Sequence, residues 1–92
     1  MKQRNTPPVA VVLEENELDL VLAGLGKLYN KTHARIILNR RLVERIENNP
    51  SDFENPQGQH AAAVRHFNNN TARLARIKTL YDKLNALIPN EQ

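Results

Sequence analysis

Two long stretches of the chain carry mostly apolar residues at alternating steps of three and four, the spacing of a helix face that packs on another helix. The first ladder is Leu22, Leu25, Tyr29, Thr32, Ile36, Asn39, Val43 and Ile46. The second ladder is Ala63, Phe67, Asn70, Leu74, Ile77, Tyr81, Leu84 and Ile88. Pro50, Pro56 and Gly58 punctuate the segment between them. The pattern predicts an all-α fold, an antiparallel helical hairpin with coiled-coil-like packing.

The ladders and their breakers predict one domain over residues 9–92, preceded by a flexible tail over residues 1–8. Within the domain we expect a helix at about 15–48, a loop at 49–59 and a helix at about 60–88. Gly24 and Gly26 weaken the first helix, since each costs about 1 kcal/mol relative to alanine. We expect the two glycines to serve either close helix packing or a kink. The sequence therefore leaves open whether that helix is continuous but kinked, or broken near 28–32.

The run Val9-Ala10-Val11-Val12-Leu13 precedes the first helix and has high β-propensity. It is either a short strand or an apolar arm lying on the helices. A strand would need a mate, and the simplest mate is the same run in a second copy of the chain.

Folding the hairpin back near Glu54 brings Asn39 beside Asn69 or Asn70. These three residues are candidates for a polar layer within an otherwise apolar seam. Paired amides of this kind cost stability but penalise slipped registers.

A second apolar flank borders the seam near the chain termini. Its members are Leu18, Val21, Leu28, Leu80 and Leu87. A thin hairpin cannot cover this flank, and exposed apolar patches often mark interfaces. We therefore expect these residues to form an oligomer interface, most simply in a homodimer that completes a four-helix bundle.

Charge is unevenly distributed along the 92 residues, although the net charge is only +3. Acids cluster at the start of the first helix and around the central break, whereas the middle of each helix is basic. The candidates for an anion-binding site in this basic waist are Lys27, Lys31, Arg35, Arg73 and Arg76. Their ligand would be a nucleotide or a nucleic-acid backbone. A compact anion is favoured over a long duplex, because the acids at both ends of the hairpin would repel a duplex. The alternative is an ordinary solvated helix face.

The sequence offers no catalytic constellation, and we expect neither an enzyme nor a cofactor. Ser51 does not lie near a histidine in the pattern of a catalytic nucleophile. Gly24-Leu25-Gly26 lacks the third glycine of a dinucleotide-binding fingerprint. Cysteine is absent, and the three histidines do not have the spacing of a helical zinc site, so no metal site is expected. No apolar run has the length of a signal peptide core or a membrane span, which predicts a cytoplasmic protein without membrane contact.

Residues Leu13–Leu18 and Val21–Leu28 combine an acidic helix start with a leucine pair and a Leu-Gly-x-Leu step. This segment resembles the opening of small helical-hairpin proteins encoded by phages and prophages. The resemblance implies a small accessory protein that is oligomeric and acts by binding. Some proteins of this kind counter host immunity by seizing a protein or a signalling nucleotide.

These observations lead to one principal hypothesis and two alternatives. The principal hypothesis is a non-enzymatic, homo-oligomeric helical protein that binds and modulates a protein partner. The first alternative is an anion-binding oligomer that uses the basic waist, and the second is a structural or assembly component.

Overall fold

The computed structural model describes residues 8–88, which form two long helices packed against each other. Helix α1 spans Glu15–Asn48, a single 3-10 turn covers Pro50–Asp52, and helix α2 spans Pro56–Asn85. The predicted all-α helical hairpin is confirmed. The predicted tail lies outside the described residues except for Pro8.

Helix α1 begins where the cluster of acids places its first turn. The backbone N–H of Glu14 donates to Oε1 of Glu17 at 2.8 Å, as in a capping box. Glu15 and Glu17 also put negative charge near the positive end of the helix dipole. Local sequence therefore fixes this helix start.

Helix α1 continues through the glycine-rich region without interruption, so the alternative of two helices meeting near 28–32 is wrong. The sequence also suggested that Gly24 and Gly26 serve close helix packing, and this interpretation fails. A Cβ built on either residue would meet nothing within 4 Å. The two glycines therefore weaken α1 locally without allowing any close contact.

Helix α2 begins at Pro56, about four residues earlier than the spacing of apolar residues indicated. Proline suits the first position of a helix, where its missing N–H has no partner to lose. Oδ1 of Asn55 accepts from the backbone N–H of Gly58 at 3.1 Å and caps the helix. The helix ends at Asn85 rather than near residue 88. The connection is consequently shorter than predicted, and the guanidinium of Arg45 lies over the Phe53 ring within it.

The buried core is a narrow line along the contact between the helices. Its apolar members are Leu18, Leu22, Ile46, Ala63 and Ile77, with Thr32 as the buried polar residue. The smallest extent of the molecule is only 17 Å, and its radius of gyration is 18.4 Å. A compact protein of this length would have a radius of gyration of about 12 Å. The hairpin is therefore one layer thick, and most apolar side chains outside the seam remain in contact with solvent.

The β-prone run before α1 forms no strand in the described structure. Residues 9–13 are an exposed arm without regular secondary structure, and Val12 is 96% exposed. The strand alternative is therefore not formed among residues 8–88, and the high exposure of the run shows that the helices cover little of it.

We predict that Gly24→Ala will stabilise the protein by about 0.5–1 kcal/mol, because alanine is the better helix former and the site has open space. The free energy of unfolding from urea titration measures this. Gly58→Ala is the matched control and should destabilise, since a Cβ there would collide with the capping side chain of Asn55. A loss of stability in Gly24→Ala would contradict the continuous, open helix.

Candidate functional site

Two side-chain contacts fix how the helices are aligned. Nδ2 of Asn70 donates to Oδ1 of Asn39 at 2.9 Å, in a partly buried position. Nearer the loop, Nε2 of His60 lies 2.8 Å from Oε2 of Glu47. Asn69, the third residue considered for the polar layer, is exposed. One amide pair therefore interrupts the apolar seam near its middle.

The five candidate anion-binding residues, Lys27, Lys31, Arg35, Arg73 and Arg76, are all exposed. Arg35 precedes Asn39 by one helical turn, and Arg73 follows Asn70 by one turn. Because the helices are antiparallel, both arginines lie further from the loop than the asparagine pair, Arg35 by about 6 Å and Arg73 by about 4.5 Å along the helix axes. Arg35 and Arg73 are consequently level with each other, and Lys31 and Arg76 lie one turn further on.

No enclosed pocket brings these cations together among the cavities of residues 8–88 that we describe. Arg76 lines a shallow depression whose other walls are Ala75, Thr79, Leu80 and Lys83, all on α2. The basic residues therefore form a surface rather than a cradle around one small ligand.

A cleft of about 310 Å³ opens between the helices near their chain-termini half. Its lining residues are Gly26, Tyr29, Asn30, Lys78, Tyr81 and Asp82. Nζ of Lys78 donates to Oδ2 of Asp82 at 2.9 Å. This hydrogen bond, together with the carboxylate charge, raises the pKa of Lys78 above its ordinary value. The His33 ring stacks on Tyr29 with a centroid separation of 6.4 Å.

Sequence reasoning missed this cleft. Two signals pointed to it: Tyr29 and Tyr81 both occupy ladder positions, and Gly26 has no side chain to fill the space beside them. The spacing alone does not show that the two tyrosines belong to the same opening, since that depends on the helix alignment.

A larger groove of about 570 Å³ lies at the chain-termini end, and we call it the terminal groove. Its lining comes from the arm, the start of α1 and the end of α2: Val9, Val11, Leu13, Glu15, Leu18, Leu80, Lys83, Leu84 and Leu87. Odd-numbered arm residues face the groove, so Val9, Val11 and Leu13 form one of its walls. The groove is mainly apolar, with Glu15 and Lys83 as its charged members.

The predicted interface residues occupy different places around this end of the hairpin. Leu18 belongs to the buried core and contributes to the groove floor. Leu80 and Leu87 are exposed on α2, with exposed fractions of 44% and 66%, and both line the groove. Val21 is exposed and Leu28 is half-buried on α1, outside the groove lining. The arm, which was not among the predicted interface residues, supplies much of the apolar surface.

Within residues 8–88, no three acidic or histidine side chains converge in a way that could hold a metal ion. Neither helix in that range has a stretch long and apolar enough to cross a membrane.

No family model, curated protein or solved structure matches this chain. The resemblance of residues 13–28 to phage-encoded hairpins therefore remains a prediction. What the chain can do must be argued from its own surfaces.

We predict that Asn39 and Asn70 are energetically coupled by about 0.5–1.5 kcal/mol, the net value of one partly buried hydrogen bond. Each single change to alanine leaves the other amide without its partner, so the double variant should be more stable than the two separate losses imply. A double-mutant cycle in urea measures the coupling. Additive losses would show that the amide pair contributes nothing specific.

Proposed function

We propose that this protein is a non-enzymatic helical-hairpin interaction protein that forms a homodimer through its terminal groove and acts by occupying a protein partner. One observation carries the proposal: the exposed large apolar side chains are concentrated at one end of the molecule. They are Val9, Val11, Val12, Leu13, Leu20, Val21, Leu80 and Leu87, with Leu38 as the one exception among the described residues.

A second copy of the chain is the occupant that best fits the groove. Two-fold symmetry makes an interface self-complementary, because each copy offers the other the same pair of surfaces. Glu15 and Lys83 lie in one groove, so a two-fold arrangement can place Glu15 of each copy near Lys83 of its partner. Opposite charges at the rim and apolar residues between them suit such an interface.

Dimerisation also supplies what a single hairpin lacks. Two hairpins overlapping at this end would place four helices around a shared apolar centre there, a four-helix bundle confined to the terminal part of each hairpin. Burying a leucine side chain stabilises by about 1.5–3 kcal/mol, so covering Leu80 and Leu87 offsets a substantial part of the cost of association. The same surface would be available to a protein partner that displaces or extends the dimer.

We predict that Leu80→Asp will raise the dimer dissociation constant at least tenfold, because the interface would have to bury a charge in place of a leucine. Sedimentation velocity over a concentration series measures the dissociation constant. Circular dichroism should show unchanged helix content, since Leu80 is already partly exposed in the single hairpin.

Leu38→Asp is the matched control for this experiment. Leu38 is 60% exposed and lies well away from the groove, so the same substitution there should leave the dissociation constant within about twofold. Equal weakening by both variants would show that the terminal groove is not the interface. A wild-type chain that sediments as a monomer at micromolar concentrations would overturn the proposed dimer.

A further inference from the structure

The two broad sides of the hairpin differ in charge, and helix spacing shows how. Residues seven apart share an angular position on a helix that packs with a seam of threes and fours. On α1, one flank of the seam is Gly26, His33, Arg40 and Glu47, and the other is Val21, Leu28, Arg35 and Leu42. On α2, one flank is Val64, Thr71, Lys78 and Asn85, and the other is His66, Arg73, Leu80 and Leu87.

The cleft identifies which flanks lie on the same side. Gly26 and Lys78 line the same opening, so their flanks share one side of the hairpin, which we call the cleft side. The flanks that contain Arg35 and Arg73 must share the opposite side. The level positions of these two arginines, each one turn from the asparagine pair, agree with this assignment.

Acids and bases are sorted between these sides. The four helix acids between Leu18 and Leu87 all belong to the cleft side by spacing: Asp19, Glu44, Glu47 and Asp82. Both acid–base side-chain contacts of residues 8–88 are formed by cleft-side acids, Asp82 with Lys78 and Glu47 with His60. The opposite side carries Lys31, Arg35, Arg45, Arg73 and Arg76, and we call this group the basic face. Lys27 lies at its outer edge.

The basic face is therefore more than an evenly charged solvated surface. A surface that serves solubility intersperses both signs of charge. Here five exposed cations of two helices lie together with no helix acid among them. Their potentials add, which favours an anionic ligand at this side of the molecule.

The shape of the basic face indicates an extended ligand. The span from Lys31 to Arg45 along α1 is about 21 Å, from the rise of 1.5 Å per residue. Duplex strands carry one phosphate per about 3.4 Å of axis, so roughly six phosphates of one strand would lie along this length. A compact nucleotide in the depression beside Arg76 would contact α2 alone, because no residue of α1 lines it.

Two further observations narrow the ligand class. Tyr29 and Tyr81 lie in the cleft on the other side, and the Phe53 ring at the loop end of the basic face lies under the Arg45 guanidinium. Neither arrangement offers the row of open aromatic faces on which successive bases of a single strand stack. Of the acids around the central break that were expected to repel a long duplex, Glu44 and Glu47 belong to the cleft side by spacing, whereas Asp52 and Glu54 lie in the loop. The placement of Glu44 and Glu47 favours an extended anion over the compact one that the sequence indicates.

We propose that the basic face binds the phosphate backbone of a nucleic-acid duplex without reading its sequence. Arg35 and Arg73 contact phosphates at the centre of the face, while Lys31, Arg76 and Arg45 extend the contact along the strand. This binding uses a different surface from the terminal groove and does not require the dimer.

Fluorescence anisotropy of the full chain with a labelled 24-base-pair DNA duplex of mixed sequence tests the proposal. With five phosphate contacts, one for each cation of the basic face, the logarithm of affinity should fall with the logarithm of salt at a slope of about −4.5. The duplex should therefore bind roughly 500-fold more weakly in 200 mM than in 50 mM NaCl. A second duplex of unrelated sequence should bind with the same affinity within about twofold.

Arg35→Ala/Arg73→Ala should weaken duplex binding at least tenfold in 50 mM NaCl and make the salt slope shallower by about two. Arg40→Ala/Arg41→Ala is the matched control, because it removes the same charge from the cleft side and the outer surface of α1. The control should change affinity no more than about threefold. Circular dichroism of both variants checks that the helices are intact.

Equal weakening by the two double variants would overturn the proposal, because it would show that net charge alone drives binding. Binding of ATP or inorganic phosphate as tight as duplex binding would overturn it as well. So would binding of polyglutamate as tight as duplex binding, which would indicate an acidic protein partner. Absence of salt-dependent duplex binding by the wild-type chain would also overturn it. None of these outcomes bears on the dimer, whose mass is measured separately.

Discussion

The narrowness of a two-helix seam is the constraint on which the rest of this structure depends. Two packed helices can bury only the residues that face each other, and within residues 8–88 the buried core amounts to five apolar side chains and Thr32. A small chain buries less of its surface than a large one, and an extended hairpin buries less again. Every other apolar or charged residue must therefore be accommodated on a surface. The position of such a residue along the hairpin, and the side of the hairpin on which it lies, decide which binding surface it belongs to.

The apolar and basic surfaces differ in their position along the hairpin and in the side of the hairpin on which they lie. Position along the hairpin separates the terminal groove, with Leu80 and Leu87, from the basic middle around Arg35 and Arg73. Between Leu18 and Leu87, side separates the cations of the basic face from Glu47 and the other helix acids. Lys83 belongs to the terminal groove and also lines the depression that contains Arg76, so the two surfaces meet along α2. Because the terminal groove lies nearer the chain termini than Arg35 and Arg73, assembly there would leave the middle of the basic face free.

The sequence was sufficient for the fold because the hairpin is governed by local signals. The steps of three and four along the ladders define two helices, and the proline-rich break places the turn. Asn39 faces Asn70 because a short connection leaves little freedom in how the helices align. The sequence predicts the start of α2 too late in the chain, because Pro56 and Gly58 are residue types that usually interrupt helices. Asn55 and Pro56 are instead favourable capping and first-turn residues.

The surfaces were harder to predict because they combine residues from both helices. Spacing shows which residues share a flank of one helix, but it does not show which flank of the other helix lies beside it. The lining of the cleft by Gly26 and Lys78 provides that link, and the proposal of an extended rather than a compact anion depends on it. The arm is a similar case, since Val9 to Leu13 has the composition of a strand but finds no mate among residues 8–88. A second copy could supply the missing cover.

The concentration dependence of thermal unfolding tests the central claim that this narrow seam is completed by a second copy. If folding and dimerisation are coupled, the midpoint of unfolding followed by circular dichroism should rise by about 5–10 °C between 1 and 100 µM protein. The rise follows from mass action, since dilution favours the separated and unfolded chains. A midpoint that stays constant over this hundredfold range, in a chain that sediments as a folded monomer, would contradict the account.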